Sequence, residues 1–261
     1  MPVSQDPLTA FVARSLRAAV TDVRSEVVAK NTTLELERIR FRQEGDERSL
    51  VVKRVPPSDA LEVQLLPLLA RKTDRVPLVR SRGIPPPAVP AWPWVLTEDL
   101  LDAQSACHED PRAIVRAKAK IERAVAGDAP ALKALGVPTI SPEELVERAS
   151  ERAAVDRPLD AEARAAATAL ASLPAVLCHG ELVCANARVA GRGVVIIEWR
   201  RAHLGCGLLD IAQLATDVSG FSGKAPDADL FGLYGELVGV SVNVELIRAA
   251  QVVYGSLRRA R

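Results

Sequence analysis

The chain has 261 residues, 48% apolar and 26% charged, enough hydrophobic material for one large core or two lobes. A net charge of +1, with basic residues scattered among acidic ones, excludes the basic surface of a nucleic-acid binder or an anionic-membrane binder. Aromatic residues make up only 3%, so Leu, Val, Ile and Ala must fill the interior.

The opening stretch MPVSQDPLTAFVARSLRAAV lacks the basic start and apolar run of an export signal. Leu8, Phe11, Val12, Leu16 and Val20 recur there at the spacing of an amphipathic helix. Three strand-like pieces follow, at 25–30, 34–42 and 49–55. The second alternates apolar and charged residues, with a slip near Glu37 and Arg38 that reads as a bulge. Residues 43–47 make a turn. The run Pro56-Pro57-Ser58-Asp59 stops the third strand and places Ser58 or Asp59 to cap a helix over 60–71.

The proline-rich stretch 76–93 allows short edge strands but no helix, and 94–97 reads as a strand. Helical patterns cover 114–125, 142–155 and 159–173, broken by Gly127 and the Gly136-Val137-Pro138 turn. Two short β segments, 175–178 and 194–197, read as a hairpin, and the tail from Leu208 is helical with a break over 219–229. The expected architecture is α+β: a small sheet lobe over 1–100, joined through 95–101 to a helical lobe over 101–261. Two unlike lobes leave a cleft, the usual place for a small ligand. No apolar run approaches the roughly 20 residues that span a bilayer. The four cysteines, at 107, 178, 184 and 206, lack CxxC spacing. Reduced, partly buried thiols of a cytoplasmic protein are therefore expected, rather than a disulfide framework or a zinc site.

Chemistry-bearing residues fall in an informative order. Lys53 sits on the third strand, and Glu62 follows on the next helix, where an ion pair would fix the ammonium to meet phosphate oxygens. The alternative for Lys53 is an edge-strand lysine facing water. The run His179-Gly180-Glu181-x-x-x-x-Asn186 reads as a loop, and a strand ending at Glu198 comes a dozen residues later. Asparagine and carboxylate oxygens are the hard ligands that Mg²⁺ takes. A further carboxylate can accept a hydroxyl proton, so the set matches the parts of phosphoryl transfer.

These residues resemble the aminoglycoside phosphotransferase/choline kinase-like family, of protein-kinase-like fold. Its loop reads H-G-D-x-x-x-x-N and its next strand ends I-D-W, to which His179, Gly180, Glu181, Asn186 and Ile197-Glu198-Trp199 are similar. A further element, G-x-P-x-x-D-L-A, resembles Gly205 to Ala212, with Asp210 at its aspartate. The stretch from Val95 to Leu100 is similar to the family hinge, whose backbone holds adenine. The resemblance covers about 25–217 and implies a bilobal fold with ATP and Mg²⁺ as cofactors and a small-molecule hydroxyl as acceptor. It puts Glu181 at the catalytic base, Asn186 and Glu198 at the metal, and Lys53, steadied by Glu62, at the α/β-phosphates. Thr97, Glu98 and Leu100 fall beside the nucleotide base. His179 and Asp210 fall at loop-holding positions, Trp199 reads as a packing residue and His203 as a surface one. Neither nucleic acid nor membrane is implied as a partner.

Two departures from the pattern bear on turnover. Glutamate replaces both functional aspartates, moving each carboxylate outward by roughly 1.5 Å, and the first turn of the sheet, Ala29-Lys30-Asn31-Thr32-Thr33, has no glycine to bring amides close to phosphates. Asn31, Thr32 and Thr33 side chains or Lys30 can serve instead, or the segment is a plain surface turn. Two readings remain: an active phosphotransferase, or a catalytically impaired, pseudokinase-like protein that binds nucleotide or ligand. A polycationic acceptor would need an acidic pocket, for which Asp217, Asp227, Asp229 and Glu236 are the candidates.

Overall fold

The computed structural model describes residues 6–84, 91–108, 110–153, 161–222 and 227–259. The chain divides into two compact units, Met1–Arg71 with Pro77–Asp102, and Lys72–Val76 with Ala103–Arg261.

The first unit runs α1 (Pro7–Leu16), β1 (Thr21–Lys30), β2 (Glu35–Gln43), β3 (Asp46–Arg54), α2 (Leu61–Lys72), β4 (Val79–Gly83) and β5 (Trp94–Glu98). Its antiparallel sheet has the order β1-β2-β3-β5-β4, which leaves the proline-flanked β4 at an edge. The Asp6 side chain accepts the Thr9 backbone N–H at 3.3 Å, and Pro7 opens α1 at its first position. Leu8, Phe11, Val12 and Leu16 then pack on Ile39, Phe41, Leu50, Val52 and Leu96, and the Phe11 ring meets Trp94 edge-on at 5.3 Å. Val20 lies beyond the helix but in the same core. The fully buried ones, such as Val12, contribute about 1.5–3 kcal/mol each, and the partly buried Leu8, Phe11 and Leu16 less. Because β residues alternate, Lys53 projects from the opposite face to Leu50 and Val52.

Two local expectations are corrected here. The irregularity does not lie in β2, which pairs with β3 without a break from Glu35 to Gln43. Extra residues fall instead in β1, on the edge of the sheet: Val28 between the pairs Val27–Glu37 and Ala29–Leu36, and one more between the pairs Thr21–Arg42 and Arg24–Arg40. Neither Ser58 nor Asp59 caps α2. A 3₁₀ turn over Pro57–Asp59 precedes the helix and has no side-chain cap. The β2–β3 turn needs two left-handed residues, and Glu44 and Gly45 supply them with φ of 54° and 89°.

The second unit contains α3 (Pro111–Ala124), α4 (Ala129–Ala134), α5 (Pro142–Ala153), α6 (Ala161–Ala171), β6 (Val176–Cys178), β7 (Ala187–Ala190), β8 (Gly193–Ile196), β9 (His203–Gly205), α7 (Gly207–Ser222), α8 (Asp229–Val238) and α9 (Val244–Arg259). Short 3₁₀ turns fall at Ala106–His108, Cys184–Asn186 and Trp199–Arg201. The expected hairpin between 175–178 and 194–197 does not form. β6 pairs with β9 and β8 with β7, two partners too short for alternation to reveal. The expected break from 219 starts too early, since α7 runs on to Ser222. Residues 85–90 of the proline-rich stretch, the expected helix ends at 154–155 and 159–160, and 223–226 of the break lie outside the described residues. Among the described residues no helix is long and apolar enough to cross a membrane.

Candidate active site

In the first unit the Lys53 ammonium lies 2.5 Å from a Glu62 carboxylate oxygen, and both side chains are buried. The edge-strand alternative for Lys53 is thereby removed: the lysine sits on the central β3, facing α2. Thr97, also buried, pairs with Val51 across β5 and β3. Glu98 ends β5, with its backbone N–H spent on the Leu78 carbonyl at 3.0 Å and its carboxylate accepting the Leu78 N–H at 2.8 Å. Leu100 lies just beyond the strand. Next to it Arg38 binds Asp99 at 2.7 Å and Asp102 at 2.9 Å, which pins this end of β5 to β2.

The β1–β2 turn is committed to itself. The Asn31 side-chain oxygen accepts the Thr33 N–H at 2.8 Å and the Thr33 hydroxyl at 3.0 Å, and Lys30 pairs with Glu35 at 3.0 Å. These are the bonds of a self-contained Asx turn.

In the second unit, nearly every backbone amide of the loop 179–186 has a partner, and three of those partners share one face of α7. Asp210 accepts from His179 N–H at 2.6 Å and Gly180 N–H at 2.9 Å; Gln213 accepts from Leu182 N–H at 2.9 Å; Asp217 accepts from Cys184 N–H at 2.7 Å. Spacings of three and four residues put these side chains on one stripe of the helix. Gly180 has φ of 78°, and a Cβ there would lie 2.3 Å from the Arg201 carbonyl oxygen, so only glycine fits. The His179 ring, fully buried, accepts the Glu181 N–H at Nδ1 (3.2 Å) and meets the Ile197 carbonyl through Nε2 (2.8 Å). Those partners select the neutral Nε2–H tautomer, and burial pushes the imidazole below its ordinary pKa, in spite of Asp210.

The Ile197 peptide joins the expected site residues. Its N–H donates to the Asn186 carbonyl at 2.9 Å, and its carbonyl is the one held by His179. Glu198 therefore follows directly on a peptide tied to Asn186, and it adopts φ 67° and ψ 56°, rare for a residue with a side chain. Asn186 donates its amide to the Glu181 carbonyl at 2.9 Å. The Glu181 carboxylate lies 3.6 Å from both Arg200 Nη2 and Arg201 Nε. Trp199 is fully buried, with its ring edge-on to His179 at 4.8 Å. His203 is buried on β9 rather than at the surface, because its strand pairs with the interior β6.

Sequence reading missed what lies under this loop. Lys118 on α3 is fully buried and contacts Glu122, the Leu177 carbonyl at 2.9 Å and Asp210 at 3.3 Å, while the Tyr234 hydroxyl donates to Glu122 at 2.8 Å. Burial would push the Lys118 ammonium down, but the Glu122 and Asp210 carboxylates hold it well above its usual range. Burial likewise opposes ionisation of Asp210, and Lys118 overcomes it, holding that carboxyl below the ordinary value. The signal was available: Lys118 falls between Ile114 and Ile121 on the apolar face of α3, where an unpaired lysine does not survive.

The cysteine expectation is corrected in part. Cys107 and Cys184 form a disulfide with a Cα separation of 5.4 Å, joining the turn before α3 to the candidate loop 77 residues on. Ser105 donates to the Cys184 carbonyl at 2.8 Å, and Val189 N–H to the Gln104 carbonyl at 2.9 Å, so two strands of contact bring the thiols together. Cys178 and Cys206 are free and buried as expected, and burial pushes the Cys206 thiol up to about 11.

A small antiparallel sheet unit and a larger helical unit, carrying a buried Lys–Glu pair and an H-G-E-x-x-x-x-N loop, define a protein-kinase-like phosphotransferase fold. The model of the phosphotransferase enzyme family matches residues 36–242, and the chain belongs to that family. Among solved structures it is similar to macrolide 2′-phosphotransferase MphH from Brachybacterium faecium, at TM-score 0.61 and 18% identity, covering 98% of this chain and 91% of that one. A choline/ethanolamine kinase family protein from Mesorhizobium loti aligns at TM-score 0.55 and 18% identity, over 97% and 83% of the two chains. Spectinomycin phosphotransferase, in complex with ADP and spectinomycin, aligns at TM-score 0.57 and 12% identity, over 100% and 86%. No curated protein sequence matches.

Proposed function

We propose that the chain is an ATP- and Mg²⁺-dependent phosphotransferase that delivers the γ-phosphoryl group to a hydroxyl of a small molecule. The observation that supports this reading is the Ile197 peptide, bonded to Asn186 on one side and to His179 on the other, which ties the backbone leading into Glu198 to the loop that carries Asn186. The Asn186 side-chain N–H is spent on the Glu181 carbonyl, which leaves its side-chain oxygen as the atom that would meet a metal. That oxygen and the Glu198 carboxylate are hard ligands of the kind Mg²⁺ takes in ones and twos, completing its shell with water and phosphate. Mg²⁺ bound there would supply charge neutralisation at the phosphates. Glu181 orients the acceptor hydroxyl and takes its proton. Lys53, steadied by Glu62, neutralises the α/β-phosphate oxygens, and Thr97, Glu98 and Leu100 lie along the nucleotide base.

Labelled ATP with Mg²⁺ and a panel of hydroxylated acceptors tests this. Glu181→Gln should cut transfer by roughly 10²–10⁴-fold, as removal of a general base does, with ATP affinity kept. Transfer indifferent to that substitution overturns the reading. One observation favours the impaired, ligand-binding alternative: the β1–β2 turn has no glycine and spends Asn31 and Lys30 on Thr33 and Glu35. ATP binding without transfer to any acceptor would select it.

A further inference from the structure

The residues around Glu181 carry information about the acceptor. A Cβ on Gly180 would strike the Arg201 carbonyl, so the 3₁₀ turn Trp199–Arg201 lies close against the loop, and both of its arginines come near Glu181. Both guanidiniums stop 3.6 Å from the same carboxylate oxygen, within ion-pair distance but beyond hydrogen-bond reach. The Arg200 Nε–H is buried with no hydrogen-bond partner, and both side chains keep partial exposure. One carboxylate is thus faced by two cations, neither of them within hydrogen-bond distance of it. A guanidinium fork is matched to carboxylate and phosphate oxygens, which it binds bidentately.

Three of the four acidic residues that would receive a polycation already have partners, and the fourth, Glu236, is exposed on α8. Asp217 caps the Cys184 amide, Asp227 accepts the Asp229 N–H at 2.9 Å, and Asp229 pairs with Arg112 at 3.0 Å. From these contacts, and resting on the phosphotransferase reading above, we propose that the acceptor is an anion: a small hydroxylated carboxylate or phosphate ester. Arg200 and Arg201 bind its charged group and present its hydroxyl to Glu181. A quaternary amine or an aminoglycoside would instead meet excess positive charge at the point where its hydroxyl must dock. The two arginines are therefore specificity residues.

Calorimetric titration of the full chain with glycerate and glucose 6-phosphate, against glycerol, choline and kanamycin at equal ionic strength, tests the proposal. The anions should bind and the other three should not. Arg200→Gln and Arg201→Gln should each weaken anion binding at least about tenfold, with partial recovery in the Arg→Lys variants and an unchanged melting temperature. Tighter binding of choline or kanamycin, binding of none of the anions, or anion affinity indifferent to both Gln variants overturns it. Phosphate transfer from labelled ATP is followed in parallel. Anion binding without transfer would sink the phosphotransferase reading and leave the anion site standing. Transfer to choline or kanamycin would do the reverse.

Discussion

The Asp210 carboxylate accepts the His179 backbone N–H at 2.6 Å, across 31 residues of chain. It also accepts the Gly180 N–H and pairs with the buried Lys118, so one side chain ties the loop to α7 and α3. Asp210→Asn keeps the shape and removes the charge, leaving Lys118 with Glu122 alone. Breaking a buried pair in this way costs about 3–5 kcal/mol. A urea midpoint shifted down accordingly checks it, and an unshifted midpoint would mean the charge is dispensable.

His179 gives the chain an acid limit. Its folded-state pKa lies below the ordinary value of 6.5, so the unfolded chain takes up the proton first as pH falls. The stability it contributes is complete above pH 6.5 and is lost as pH falls toward the lowered folded value. A single such proton gives a slope of at most about 1.4 kcal/mol per pH unit. Denaturation from pH 7.5 to 5 should show this slope, and His179→Gln should remove it.

Reducing the Cys107–Cys184 bond frees a loop closed over a separation of 77 residues. The loss of chain entropy for such a loop amounts to about 4.5 kcal/mol. Reductant should lower the melting temperature of the native chain but not that of Cys107→Ser. Thiol titration of the unfolded chain should rise from two reactive groups to four, since only Cys178 and Cys206 are free.

Lys53 and Glu62 should separate stability from function. Lys53→Ala breaks a buried ion pair and should cost about 3 kcal/mol or more, whereas Lys53→Met with Glu62→Leu should restore most of that. Phosphate transfer should be lost in both. Recovery of transfer in the double variant would remove Lys53 from the proposed chemistry.

Glu198→Asp addresses the left-handed backbone. Aspartate tolerates φ of 67° better than glutamate, so the variant should gain up to about 1 kcal/mol. Its Mg²⁺-dependent transfer should fall if the glutamate length is matched to this backbone. A simultaneous rise in both would show the longer side chain to be a defect of the site.

Local pattern made much of this protein legible. The apolar spacing in α1, the alternation that aims Lys53 away from Leu50 and Val52, and the order of His179, Gly180, Glu181, Asn186 and Glu198 all depend on periods of two or 3.6 residues and on short motifs. Such features follow from backbone geometry within a few residues, which is why reading along the chain finds them. Tertiary structure decided the rest: that Cys107 meets Cys184, that Asp217 caps the loop instead of lining an acidic pocket, that β6 pairs with β9, and that Lys118 lies under His179. Each is a meeting of segments far apart along the chain, settled by how helices and strands pack and which buried polar groups must be paired, and no local spacing encodes that.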